Sequence, residues 1–136
     1  MAAYRLPAVI LALCVGWSIL GLSAQAADFI GAWAVNADTC NKVFVKNGSK
    51  FSFANDSDAY GSGLIVEENK IIGKLAACTI KSRKEDGTVT HLILNCATNT
   101  ALEIVQFSVN IDNENKITRL FPGLPELSTP YYRCPL

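Results

Sequence analysis

The sequence predicts an all-β domain, a small antiparallel barrel of about eight strands in meander order, stapled by two disulfides. Three observations predict it. Short runs with two-residue alternation follow one another closely, most clearly Val105, Phe107, Val109 and Ile111 against Gln106, Ser108 and Asn110. Turn-forming sequences separate these runs, and beyond the N-terminal stretch no segment carries a 3.6-residue apolar stripe of helical length. Cys40, Cys78, Cys96 and Cys134 supply an even set of cysteines in this part of the chain. Closure into a barrel is preferred to an open sheet because it removes unpaired strand edges.

The N-terminal stretch reads as a secretory signal peptide over residues 1–26. Arg5 forms the positive n-region, Ala8 to Leu22 the apolar h-region, and Ala24-Gln25-Ala26 a small-x-small cleavage site. The apolar run is shorter than the roughly 20 residues that span a bilayer. A lipoprotein reading through Cys14 fails, because Leu13 stands where a small residue is required. Cleavage removes Cys14 and leaves residues 27–136 as one domain with four cysteines. Such a chain is expected in an oxidising compartment, periplasmic or secreted, with no stable membrane anchor.

Lysine plus arginine and aspartate plus glutamate number 12 each, and the only basic residue within 1–26 is Arg5. The mature domain is therefore close to neutral. Nucleic acid is an unsuitable partner for it, since phosphate binding needs a basic stripe. Docking on anionic lipid is disfavoured for the same reason.

The strands follow in order. Phe29, Gly31, Trp33 and Val35 alternate on the first. Lys42 to Lys46 and Lys50 to Ala54 flank Asn47-Gly48, a pair suited to a type I′ hairpin turn. Asn55 to Gly63 is a polar loop. Leu64 to Val66 and Lys70 to Ile72 flank Glu67-Glu68-Asn69. Leu75 to Ser82 and Thr88 to Cys96 flank Lys84-Glu85-Asp86-Gly87. Val105 to Ile111 turns through Asp112-Asn113-Glu114-Asn115 into Lys116 to Phe121, and Tyr131 to Cys134 closes the chain.

Four cysteines allow three pairings. A three-residue loop Asp86-Gly87-Thr88 would set Glu85 opposite Val89 and so Cys78 opposite Cys96. Opposed residues at a non-hydrogen-bonded pair lie about 4.5 Å apart at Cα, within disulfide range. A two-residue loop would break that register. Cys40 and Cys134 would then form the second bridge, worth on the order of 4 kcal/mol through the unfolded chain. A zinc site is disfavoured, because no close C-x₂₋₄-C pair occurs.

Several residues invite a chemical reading. His91 is the only histidine and sits in a strand with Val89, Ile93 and Asn95 on its face; no G-x-S-x-G element accompanies it. Asp56, Asp58, Gly61 and Glu67 fall at positions 1, 3, 6 and 12 of an EF-hand-like loop, but Tyr60 occupies position 5 and strands flank the segment. An Asx-rich loop capping its own backbone is the expectation there. Asn47-Gly48-Ser49 and Asn55-Asp56-Ser57 are formal glycosylation acceptors. No catalytic, metal or cofactor site is expected.

Gly31-x-Trp33 on the first strand resembles the start of two families of exported barrels: the lipocalin-like calycins and the bacterial metalloprotease inhibitors. The resemblance covers this tripeptide and the strand order. It implies that Trp33 closes a barrel floor against an arginine from near the last strand, with Arg119 and Arg133 as candidates. It also implies either a carrier of a small apolar ligand or an inhibitor of an extracytoplasmic hydrolase.

Phe121 to Pro130 contains Pro122, Pro125, Pro130 and Gly123, and is stiff. Phe121, Leu124 and Leu127 form a possible contact surface for a protein partner. The competing expectation is that the two leucines fold back to plug one barrel end. With so short a chain the interior is expected to be filled, which places a non-enzymatic binding or inhibitory module ahead of a carrier. An envelope structural or stress protein without a discrete site is the third alternative. If the leader is read correctly, intact-mass measurement of exported protein will show Ala27 as the N-terminus; retention of Met1 to Ala26 would refute it.

Overall fold

The structure, a computed structural model, describes residues 29–135, and the signal-peptide segment lies outside the described residues. Ten strands are present among the described residues: β1 (Gly31–Ala34), β2 (Phe44–Asn47), β3 (Lys50–Phe53), β4 (Gly63–Val66), β5 (Lys70–Ile72), β6 (Ala77–Asp86), β7 (Val89–Ala97), β8 (Leu102–Asn113), β9 (Lys116–Leu120) and β10 (Thr129–Arg133). Eight of them close an antiparallel barrel in the order β1-β10-β9-β8-β7-β6-β5-β4. From β4 to β10 this is the expected meander, and β1 closes it.

The hairpin β2–β3 is not part of the barrel; it forms its own two-stranded sheet. A four-residue helix, α1 (Cys40–Val43), precedes it where the sequence suggested that the strand had already begun at Lys42. Its placement is set by burial. Cys40 and Val43, three apart, fall on one helical face and are both buried. With Phe44 they cover Ala32, Ala34 and Ile65 on the outer face of β1 and β4. Gly63 makes this approach possible: a Cβ there would meet the Phe44 ring at 2.5 Å and the Trp33 carbonyl at 2.9 Å.

Two hairpin loops differ by one residue from the sequence reading, the first displaced and the second shortened. Asn47 pairs with Lys50, so Gly48-Ser49 forms the first loop, with Gly48 at φ 64°. Asp86 pairs with Val89, so Gly87-Thr88 forms the second, with Gly87 at φ 62°. In both, glycine takes the first loop position, where a type II′ turn needs positive φ. The two-residue loop alone would have set Cys78 out of register with Cys96. A β-bulge between Ile80 and Ser82 restores it, and Cys78 faces Cys96.

Both disulfides are formed: Cys40–Cys134, with Cα atoms 5.5 Å apart, and Cys78–Cys96, with Cα atoms 3.9 Å apart. The four thiols are therefore not available as zinc ligands.

The interior is packed by Trp33, Leu64, Val66, Ile71, Leu92, Leu94, Phe107, Val109, Ile117 and Tyr131, all buried. The strand directions give the barrel two distinct ends. The turns after β4, β6 and β8 lie at one end with Phe29 and Arg133. The turns after β5 and β7 and the loop after β9 lie at the other. β8 is much longer than β9, which pairs only with Ser108 to Asn113, so Leu102 to Phe107 are paired on the β7 side alone.

The disulfides differ in the length of chain they close, 94 and 18 residues apart in sequence. Replacing Cys40 and Cys134 by serine is expected to cost roughly 4–5 kcal/mol, and replacing Cys78 and Cys96 roughly 3 kcal/mol. Urea unfolding of the two double variants checks the order.

Candidate functional site

One end of the barrel is sealed by an aromatic floor. The Trp33 indole N–H donates to the Phe29 carbonyl at 2.8 Å. The Arg133 guanidinium lies 4.3 Å from the centre of the Trp33 ring and donates from Nη1 to the Ile30 carbonyl at 2.8 Å and from Nε to the Glu114 carbonyl at 2.6 Å. Arg83 covers Phe29 from below, at 5.5 Å from the ring centre. Gly31 fits this arrangement for two reasons. Its φ of 141° is disfavoured for a residue with a side chain, and a Cβ would stand 3.0 Å from Arg133 Nη1. Gly31 and Trp33 are thus coupled through Arg133: one leaves room for the guanidinium and the other carries it.

Of the two arginines considered for the floor, Arg133 occupies it. Arg119 lies elsewhere, half-buried, 4.9 Å from the Phe107 ring centre and 4.5 Å from that of Phe121. It lines a cavity of about 220 Å³ at the opposite end, walled by Leu64, Ile71, Leu94, Val105, Phe107 and the Cys78–Cys96 pair, with Glu103 at its edge. The expectation of a filled interior is therefore met only in part. Large buried side chains pack much of the barrel, and space remains at the end opposite the floor.

That open end has an apolar rim. Leu75 is 77 % exposed, Leu102 86 % and Ile104 78 %. Leu124 and Leu127, 49 % and 51 % exposed, stand on the loop after β9, beside the short 3-10 turn Pro125–Leu127. Neither leucine belongs to the barrel core, so the plugging expectation is overturned. The Leu124 N–H donates to Phe121 O at 2.9 Å and the Leu127 N–H to Leu124 O at 3.0 Å, so the segment is wound tightly on itself.

The other marked residues lie apart from this cavity. His91 Nδ1 and Ser108 Oγ are 2.8 Å apart on the outer barrel wall, and Ser108 is buried beneath its neighbours, so the contact ties β7 to β8. Asp56, Asp58 and Gly61 remain in the loop after β3, and Glu67 lies beyond β4. Lys74 sends its ammonium to the carbonyls of Ala54 and Asn55 at 2.9 and 3.3 Å, so a built-in cation already occupies oxygens of that loop. Ser57, buried in the same loop, has an unpartnered Oγ. Asn47 and Asn55 are both exposed. Among the described residues, no group of three or more His, Cys, Asp or Glu could hold a metal ion, and no helix is long and apolar enough to cross a membrane.

Glu103, Ala76 and Gly73 line the cavity and were not singled out from sequence. The sequence reading began this strand at Val105; carried two residues further back, the same alternation puts Glu103 on the inward face of β8. Its charge at that position was the available signal. Comparison with protein-family models, with curated proteins and with solved structures finds no match.

The two arginines should respond differently to removal of charge. Arg133→Met loses two hydrogen bonds to carbonyls and an indole contact, and is expected to destabilise the domain by about 1–3 kcal/mol. Arg119→Met loses only ring contacts, and is expected to cost less than about 1 kcal/mol. Chemical denaturation of the two variants tests the contrast; equal losses would place Arg119 in the structural framework.

Proposed function

We propose that this chain is an exported, non-enzymatic binding module that takes a small, largely apolar ligand into the open end of its barrel. The observation that carries this reading is the asymmetry of the interior: a sealed floor at Trp33 and Arg133, and a cavity at the other end walled mainly by aliphatic and aromatic side chains. The cavity is smaller than the roughly 300–1,000 Å³ of drug-sized sites. It holds the liquid share of about seven waters, so the ligand is short. Two disulfides support export to an oxidising compartment.

A second reading has its own support. Leu124 and Leu127 project from a proline-stiffened loop, as expected of a segment that docks on a protein such as an extracytoplasmic hydrolase. The two readings share one end of the molecule and differ in occupant.

Titration of the oxidised protein with hexanol, followed through methyl resonances of Leu64, Leu94 and Val105, tests the first reading. Shifts are expected at these methyls and should vanish in Ala76→Trp, which fills the cavity. Response confined to the rim leucines would reject it. For the second reading, Leu124→Ser with Leu127→Ser is expected to leave the melting temperature within a few degrees, since exposed substitutions are typically within about 0.5 kcal/mol each. The pair should abolish capture of a partner from the extracytoplasmic fraction. Unchanged capture would reject a role for this loop.

A further inference from the structure

We propose that Arg119 makes the cavity a site for a short amphiphile with a carboxylate head, the head held by the guanidinium and the tail by the aliphatic wall. This rests on the reading of the cavity as a ligand site and specifies its chemistry.

The placement of Arg119 carries the argument. Its neighbours on β9, Ile117 inward and Thr118 and Leu120 outward, put it on the interior side of the strand, where an arginine is costly unless its charge is met. The rings of Phe107 and Phe121 meet it through their faces. A guanidinium carries five N–H donors in its own plane, and ring stacking uses none of them. The described residues give Arg119 no ion pair and no hydrogen bond. The other two described arginines are engaged: Arg83 with Glu85 at 2.8 Å, and Arg133 with two carbonyls. Arg119 thus has its donors unmatched among the described residues, in a half-buried position, beside a cavity walled mainly by apolar side chains, with Thr98 and Glu103 as the other polar residues in its lining. The planar fork fits a carboxylate through two parallel hydrogen bonds.

Glu103 is the one acidic residue lining the cavity. It is exposed and forms no ion pair with any described arginine or lysine, so it leaves Arg119 unneutralised. Its charge opposes an incoming anion from the edge, where solvent screens it. Leu64, Ile71 and Leu94, deeper in the barrel, would receive the tail.

Calorimetric titration of the oxidised protein with hexanoate, hexanol and hexylamine tests this, because the three share a tail and differ in head charge. Hexanoate should bind at least tenfold more tightly than hexanol, the factor expected for a charge-assisted hydrogen bond, and hexylamine more weakly than either. Arg119→Met should erase the preference for hexanoate while leaving hexanol affinity within about twofold; Arg119→Lys should keep part of it. Glu103→Gln should strengthen hexanoate binding by a small factor. If hexanol and hexanoate bind equally to the unaltered protein, the carboxylate proposal fails and the apolar cavity stands. If the preference survives in Arg119→Met, the charge recognised is elsewhere and the proposal fails. If none of the three binds, both the proposal and the ligand-site reading fail. The head-group series on the unaltered protein decides the matter even if a variant folds poorly.

Discussion

The barrel depends on how β1 is held. Only four residues, Gly31 to Ala34, join the first and last parts of the sheet, pairing with β4 on one side and β10 on the other. A strand this short contributes few ladder bonds, so side chains must hold it from both faces. Inward, Trp33 packs into the core and carries Arg133. Outward, Ala32 and Ala34 lie beneath α1 and Phe44. The Cys134 N–H donates to the Ala32 carbonyl at 2.8 Å, and Cys134 is bonded to Cys40, so covalent and hydrogen-bonded ties meet on the same strand. The two hydrophobic clusters are therefore coupled through a segment too short to persist without either.

That closure leaves the two ends chemically different. At the floor, two arginines lie over two aromatic rings, and the hydrogen-bonding capacity of Arg133 is spent on main-chain carbonyls of opposite ends of the sequence. At the other end Arg119 is stacked in a similar manner but has no hydrogen bond or ion pair among the described residues. Cation–ring contacts alone thus do not distinguish structural from available arginines; what distinguishes them is where the planar donors go. The same end carries the exposed leucines, so the cavity mouth and the apolar loop share one surface.

Much of this was legible in the sequence because alternation and turn chemistry are local signals. All eight barrel strands fall on segments whose pattern marks them, and the inward set from Cys78 to Tyr131 follows it. The pairing of the cysteines was also legible, although the loop proposed to justify it was wrong by one residue. The position of β2–β3 was not legible, since a hairpin has the same local pattern whether it joins the barrel or lies over it. Only the seat at Gly63 and the partner surface on β1 and β4 decide that. The role of Arg133 was accessible as a choice between two arginines, but the choice depends on register with β1, which is a long-range property. The exposure of Leu124 and Leu127 depends on how their loop lies against the barrel end, which composition does not reveal.

The bulge in β6 separates two ways of fixing one hairpin. Near the loop, the alignment of β6 and β7 is dictated by the backbone geometry of Gly87. Near Cys78 it is dictated by a covalent bond. These two specifications differ by one residue, and the extra residue at Lys81 absorbs the difference. Side-chain parity consequently reverses along β6: Cys78 and Ile80 face the interior from even positions, whereas Arg83, aligned with Leu92, reaches the floor from an odd one. A single inserted residue thereby lets the same strand present an apolar wall to the cavity and a cation to the base of the barrel.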